Sequence, residues 1–313
     1  MPVSVREPRP PVTWDVIGIG ENSVDEIYRL PAAPAAGSKL PIVSRRRLAG
    51  GQVATAICTC AALGLRAKYV GVFGSDANGA LVRSELARRG VDVRAAPVRD
   101  VPNRYAVILV DGRTGDRTVL WARDPELSLR PEELTEATIA GARLVHVDAT
   151  DEEAAIRAAL IARSRGALVT TDIDQVTGRT ADLVAAATTA IVAEQVPQAL
   201  TGQRDPGRAL RAMQRLTAAA ICVTRGPSGA MLLQDDVLYE CPAFPVDVVD
   251  TTGAGDVFRG AFIYALLGGR SPADVLRFAT AAAAVSCTRE GAIGGVPTLA
   301  EVEALVDPRS GPR

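Results

Sequence analysis

Runs rich in β-branched residues alternate with helical stretches along most of this chain, and nothing else in the sequence limits the fold so much. The first set reads VTWDVIGIG, QVATAICTCAALG, AKYVGVFG, NGALVRSELARRG and VDVRAAPV; the second reads ARLVHVD, EEAAIRAALIARSRG, ALVTTDID, TAIVAE, GRALRAMQRL and AAAICVTRG. Strand and helix in turn mean parallel strands joined by crossover helices, since a tight turn cannot bring a parallel neighbour alongside. The expected class is α/β, with a mostly parallel central sheet flanked by helices. Two segments break the rhythm: residues 26–49 carry no helical pattern, and residues 102–123 read as a hairpin about DGRTGD. Such strands would pair into a small β-sheet set apart as a lid, or else widen the edge of the central sheet. With no internal repeat, low-complexity segment or long linker, residues 1–313 are expected to form a single domain with disordered ends.

The chain is 48% hydrophobic, enough for a sizeable core. It has no run of 18 apolar residues, and MPVSVREPRPPVTWDV places charges and prolines where a leader has an apolar block. No membrane partner is expected, and the expected location is the cytoplasm. Lys plus Arg number 35 against 36 for Asp plus Glu, a formal charge of −1, so there is no basic footprint for nucleic acid and the partner should be a small molecule. His146 is the sole histidine, which excludes two-histidine metal sites, and its place at a strand end favours a supporting role over catalysis. Cys58, Cys60, Cys222, Cys241 and Cys287 form an odd set, three of them within apolar runs, and read as small buried hydrophobes. Cys58 and Cys60, two apart in a helix, diverge and make no metal pair.

DTTGAGD, residues 250–256, lies between a β-branched run and the helical stretch VFRGAFIYALLGG. A helix starting near Ala254 leaves its first N–H groups unpaired at its positive end, and the small residues Gly253, Ala254 and Gly255 let an anion approach them. Asp256 beside a bound phosphate would repel it, which makes sense for a carboxylate that takes the proton of a hydroxyl attacking that phosphate. From this stretch alone, an aspartate capping a helix behind a glycine turn explains the residues equally well. No GxxxxGK[ST] is present, so the cradle is not a P-loop. GIGENS lacks the third glycine, the helix and the later acidic residue of a dinucleotide fingerprint.

DTTGAGDVFRGAF is similar to the C-terminal signature of the ribokinase-like, or phosphofructokinase-B (PfkB), family of sugar kinases, and GGQVATAICTCAALGLRAKYVGVFGSDANG resembles its N-terminal signature. Order and spacing match over nearly the whole chain. The resemblance implies a three-layer ribokinase-like fold with a β-sheet lid, and transfer of the γ-phosphate of ATP, with Mg²⁺, to a primary hydroxyl of a sugar or sugar-like molecule. Asp256 would be the general base, with Gly253, Ala254 and Gly255 as the anion hole. Asn22 and Asp25 would hold sugar hydroxyls, Gly50 and Gly51 would let the substrate lie against the backbone, and Asp148 would be an acidic sugar contact. Thr224, Gly226 and Gly229 of TRGPSG would meet the phosphates and ribose of the nucleotide, with Thr280 on the adenine side.

The sequence also departs from that pattern. Thr55 stands where many members have an asparagine on the sugar. The Mg²⁺-organising NxxE stretch reads AEQV, so Ala193 and Val196 replace its asparagine and glutamate and leave Glu194 as the nearby carboxylate. Members activated by a monovalent cation such as K⁺ hold it between two loops, for which Asp250, Thr252, Ser286, Arg289 and Gly291 correspond, although Gly295 lacks the hydroxyl of the best-matched members.

Two alternatives to a sugar kinase stay open. A nucleoside kinase of the same fold would use Tyr28, Tyr105 or Trp121 in the lid to hold a base. A sugar-binding sensor that has lost catalysis is favoured by Ala193 and Val196 and opposed by the intact GAGD. Arginines crowd the lid at Arg45, Arg46, Arg47, Arg104, Arg113, Arg117 and Arg123; most would be solvated, while Arg104 and Arg123 are placed to turn inward toward an acidic group on the substrate. Lid sheets of the family often pair between subunits, which would cover Val107, Leu109 and Leu120, so a homodimer is expected.

Overall fold

The computed structural model describes residues 12–115, 117–217 and 219–307; the ends expected to be disordered, and most of the stretch that reads as lacking a leader, lie outside the described residues. The N-terminal half runs β1 (Trp14–Ile19), β2 (Ser23–Leu30), β3 (Ser44–Gly50), α1 (Gln52–Ala62), β4 (Ala67–Val70), β5 (Phe73–Gly74), α2 (Ala77–Arg88), β6 (Val98–Arg99), β7 (Tyr105–Asp111) and β8 (Arg117–Ala122). Next come α3 (Glu136–Ile139), β9 (Ala142–Asp148), α4 (Glu152–Ser164), β10 (Leu168–Asp172), α5 (Thr180–Ala186), β11 (Thr189–Ala193), α6 (Gln195–Thr201), α7 (Pro206–Gln214) and β12 (Ala220–Thr224). The chain finishes with β13 (Ala230–Gln234), β14 (Val237–Cys241), α8 (Ala254–Leu267), α9 (Pro272–Ser286) and α10 (Leu299–Val306).

Eight strands form the central sheet in the order β14-β13-β12-β11-β10-β9-β1-β4. They are parallel from β12 to β4, and β13 and β14 close one edge as an antiparallel hairpin. Its strands are apolar on both faces because both are covered. Val16, Leu144 and Cys222 point into the layer of α1, α8 and α9, and Ile17, Val145 and Ile221 into the layer of α4, α5 and α7. The result is the three-layer α/β architecture. Strand order reverses at β1 and β9, which opens a crevice beyond their carboxyl ends. No helix among the described residues is long and apolar enough to cross a membrane.

The two irregular segments pair with each other and not with the central sheet. They make a four-stranded sheet ordered β3-β2-β7-β8, antiparallel except for the parallel pair of β2 and β7. Its first strand starts at Ser23, three residues before residue 26. VDVRAAPV is not the strand its composition suggests. It makes one bridge, Asp92 to Lys68, before β6 pairs with β5. Val91, Val93 and Ala96 are spent on filling the core, and Pro97 has no N–H to give a ladder.

Helix α8 lies directly on α1. A Cβ at Gly260 would meet the Ala56 carbonyl oxygen and, at 2.5 Å, Thr59 Cβ. Gly260→Val should therefore push the helices apart and destabilise the protein by about 1–3 kcal/mol, as overpacking does. The expected reading is a lower urea midpoint at unchanged slope. An unchanged midpoint would show slack between the helices.

Candidate active site

The first turn of α8 is built as an open cradle. Gly253, its N-cap, has φ 74°, and a Cβ there would lie 2.5 Å from Ala292 Cβ, so the turn requires glycine. No side chain caps this end, and the Ala254 N–H makes only a 3.3 Å contact with Thr251 O. Ala254 and Gly255 line a cavity of about 700 Å³ together with Thr224, Gly226, Gly229 and Thr280. Two of the three residues expected for the anion hole, Ala254 and Gly255, and all those expected for the nucleotide thus border one space, while Gly253 lies outside its lining; Phe244, Val246 and Phe258 give it apolar walls. Gly229, at φ 84°, closes against the Cys241 carbonyl, where a Cβ has no room. The Thr280 hydroxyl is engaged with Leu276 O at 2.8 Å, so this residue offers mainly its shape.

Asp256 sits in that same first turn, near Asp172 at the end of β10, Glu21 after β1 and Asp25 on β2. Burial, then the neighbouring Asp172 carboxylate, push its carboxyl well above the usual range, against the pull of Arg259. The expected sugar residues gather on this side. Asp25 receives the Ser23 hydroxyl at 3.3 Å, and burial lifts its carboxyl to about 6. Asp148 accepts the Glu21 N–H at 2.7 Å and the Thr150 N–H at 3.0 Å; burial lifts it to about 6 as well. Asn22 is turned inward, its NH₂ donating to Tyr69 OH at 2.9 Å and Val72 O at 2.8 Å, which leaves only Oδ1 unpaired. The Thr55 hydroxyl is buried without a partner. Gly50 and Gly51 pack on these residues, for a Cβ at Gly50 would lie 2.5 Å from Asp25 Oδ2 and one at Gly51 would strike the Asn22 backbone.

The arginines of the four-stranded sheet are largely engaged in ion pairs. Arg104 ion-pairs with Glu21 at 2.7 Å and lies 5.6 Å from the Trp121 ring centre. Arg123 is pinned to Asp151 at 2.7 Å. Sequence reasoning missed Glu21, which burial raises to about 8 despite Arg104, and it missed the buried pair Asp172–Arg259 at 2.7 Å. Two signals were available: Asp172 ends a strand at the carboxyl edge of the sheet, and Arg259 is the one basic residue in an otherwise apolar helix that also carries Asp256. His146 is buried, bonded to Thr170 Oγ1 at 3.0 Å, and held neutral by burial, its pKa lowered to about 3.

Among the described residues no cluster of three His, Cys, Asp or Glu side chains could cage a metal, and Glu194 is exposed. The K⁺ residues do come together, but they are engaged with one another. Asp250 Oδ2 accepts the Gly291 N–H at 2.8 Å, and Oδ1 accepts Thr252 N–H at 2.9 Å. Ser286 O accepts the Arg289 N–H at 3.2 Å. The guanidinium of Arg117, from β8 of the lid, stands 3.4 Å from Asp250 Oδ1 and donates to Thr252 Oγ1 at 2.6 Å and to Thr251 Oγ1. A fixed cation already occupies the loop.

A family model described as pfkB family carbohydrate kinase matches residues 19–299. An ATP-dependent ribose-1-phosphate kinase from Halopiger xanaduensis is 29% identical over 94% of this chain and 98% of its own length. The structure of a putative ribokinase from Agrobacterium tumefaciens superposes with a TM-score of 0.87 at 28% identity, covering 94% of this chain and 97% of that one. An Arabidopsis thaliana ribokinase complexed with ribose and ATP gives 0.81 at 25% identity, covering 95% and 99%. With both signatures, the fold and the cradle in place, the chain belongs to the PfkB family of ATP-dependent carbohydrate kinases.

Proposed function

We propose that the protein transfers the γ-phosphate of ATP to a primary hydroxyl of a sugar or sugar-like molecule, with Asp256 as general base. The observation that supports this reading is the presence, in one turn of α8, of an uncapped N-terminus bordering the nucleotide cavity and a carboxyl of raised proton affinity. Asp256 removes the hydroxyl proton as that oxygen attacks phosphorus, the bond to the leaving ADP oxygen breaks, and the first-turn N–H groups receive the charge on the transferring group. Bound Mg²⁺ supplies charge neutralisation on the phosphates. Asp25, Asp148 and Asn22 Oδ1 are acceptors suited to the hydroxyls of a polyol. Because the Arg104 guanidinium is already engaged by Glu21 at 2.7 Å, a neutral sugar fits better than an acidic one. A nucleoside would need an aromatic shelf, yet Trp121 is 65% exposed and Tyr28 is tied to Glu26 at 2.7 Å. An intact base and cradle speak against a sensor that has lost catalysis. ATP as donor agrees with a cytoplasmic location.

A panel of sugars, sugar acids and nucleosides with ATP and Mg²⁺, read as ADP release, identifies the acceptor. Asp256→Asn should lower turnover with the best acceptor by about 10²-fold or more while leaving ATP binding intact. Because Arg117 supplies the positive charge at Asp250, the wild-type rate should be the same in K⁺ and Na⁺ buffers. Near-wild-type turnover of the variant would remove Asp256 from the mechanism, and strong K⁺ activation would remove Arg117 from that role.

In this reading residues 23–50 and 105–122 are the lid of a single kinase domain, and its outer strand is a dimer contact. On β8, Val119, Leu120 and Trp121 are 53%, 56% and 65% exposed, an apolar edge strand of the kind that pairs with another chain. Light scattering should show a homodimer at micromolar concentration and a monomer for Leu120→Glu. A wild-type monomer would refute the contact.

The acceptor carboxyls work against stability. Asp25 binds its proton more tightly when folded, about 6 against an ordinary 3.8, so stability is lost as pH rises from about 4 through about 6. Asp25→Asn should melt about 2 °C or more above wild type at pH 7.5, with the gain vanishing as pH approaches 4. A gain independent of pH would trace the effect to packing and not to the charge.

A further inference from the structure

Beneath the cradle lies a sealed group of charges that the reading of Asp256 as base does not by itself use. Asp172, at the end of β10, is 1% exposed, and Arg259, one turn along α8 from Asp256, is 3% exposed. Arg259 Nη2 is 2.7 Å from Asp172 Oδ1. Its other amino group supports the anion hole from below, since a Cβ at Gly255 would sit 2.8 Å from Arg259 Nη1. Yet no donor is aligned on either Asp172 oxygen, and Arg259 Nε is likewise unpaired. A buried acceptor without a donor is costly and asks for an explanation. Besides Arg259, the carboxyl of Asp256, itself an acceptor, also interacts with the Asp172 side chain. Two facing acceptors are satisfied when one proton lies between them.

We propose that Asp172 and Arg259 are positioning residues for phosphoryl transfer: Asp172 shares one proton with Asp256, and the Arg259 guanidinium holds Asp172 in that contact while bracing Gly255. This rests on the proposed role of Asp256. Two carboxylates, one guanidinium and one proton sum to zero, the state favoured where Asp172 and Arg259 are sealed from water. In the transfer step the shared proton lies on Asp172. Asp256 receives the acceptor's proton as the oxygen–phosphorus bond forms and the bond to the ADP oxygen breaks, and after product release one of the two protons returns to water. The rest of the electrostatic surroundings is mixed. Glu21 and Asp25 face Asp256 from the ends of β1 and β2, while Asp148 on β9 and Asp174 beyond β10 face Asp172. Arg104 opposes Glu21 and Asp25, and neutral His146 lies near Arg259. Burial lifts Asp172 to about 7 against the pull of Arg259, with Asp148 and Asp174 adding to the rise, in line with a pair that keeps a proton near neutrality.

The test is carboxyl ¹³C titration of the free protein by NMR, with Asp172→Asn and Asp256→Asn used to assign the pair, alongside the pH profile of kcat/KM. Asp172→Asn removes a like charge, so the Asp256 titration and the acidic limb of the profile should both move down by about one pH unit or more. Arg259→Gln removes the opposing charge and should move both up by a similar amount, and Arg259→Lys should restore most of the wild-type position. A merely structural pair would lower activity without shifting the limb in opposite directions. If Arg259→Gln does not fold, Asp172→Asn decides alone, being nearly isosteric and uncharged. An Asp256 titration unmoved in Asp172→Asn overturns the proposal while leaving the kinase reading in place. The predicted NMR shifts in a protein without phosphoryl transfer would support the shared proton and overturn the kinase reading.

Discussion

Close approach of three backbones fixes everything else in this molecule. A Cβ at Gly18 would lie 2.7 Å from Val53 Cγ1, so α1 rests directly on β1, and Gly260 lets α8 rest equally close on α1. That stacking brings the uncapped end of α8 over the carboxyl ends of the parallel strands, where the strand reversal leaves a crevice. Had either contact needed a side chain's width, Asp256 and Asp172 would not meet. The same closeness excludes water from the floor of the site, and excluded water is what raises the buried carboxyls there.

The charges above that floor are arranged differently. Lid and body are joined by ion pairs from Arg104 to Glu21, Arg117 to Asp250, Arg123 to Asp151 and Arg46 to Glu290. Arg46–Glu290 is open to solvent and worth at most about 1 kcal/mol, whereas Arg104–Glu21 is shielded and sits beside the acceptor residues. Arg123–Asp151 is shielded to a similar degree, so the small sheet is tied to the body by two sheltered pairs and by looser ones. The Arg104–Glu21 pair also decides what charge a substrate meets, because any group that displaces Glu21 from Arg104 must replace a contact already made.

Much of this was legible in the residues, and the remainder was hidden for definable reasons. Alternating runs identified the α/β class, the misfit segments identified the second sheet, and GAGD identified the cradle, because each signal is local and short. The hairpin of β13 and β14 went unread although its signal was present: Asp235 and Asp236 have φ of 50° and 62°, the two-residue turn that acidic and small residues favour between strands. VDVRAAPV misled because burial and pairing draw on the same apolar residues. Asp172 and Arg259 were invisible as a pair because a carboxylate at a strand end reads as a turn and an arginine on a helix reads as surface. Their meaning depends on which helix face meets which strand, a property of tertiary register that no window of sequence contains.

One strand connects the two ends of the proposed mechanism. β8 carries the exposed Val119, Leu120 and Trp121 on the edge of the four-stranded sheet, and at its start it carries Arg117, whose guanidinium rests on the loop leading into α8. An isolated edge strand is weakly ordered, because half of its backbone groups lack partners. If β8 gains a partner from a second subunit, the position of Arg117 over Asp250 is ordered in the same event. Subunit pairing and the shape of the phosphate cradle are then two consequences of one set of backbone hydrogen bonds, and a charge that many sites would recruit as a free ion is delivered by the fold of the lid.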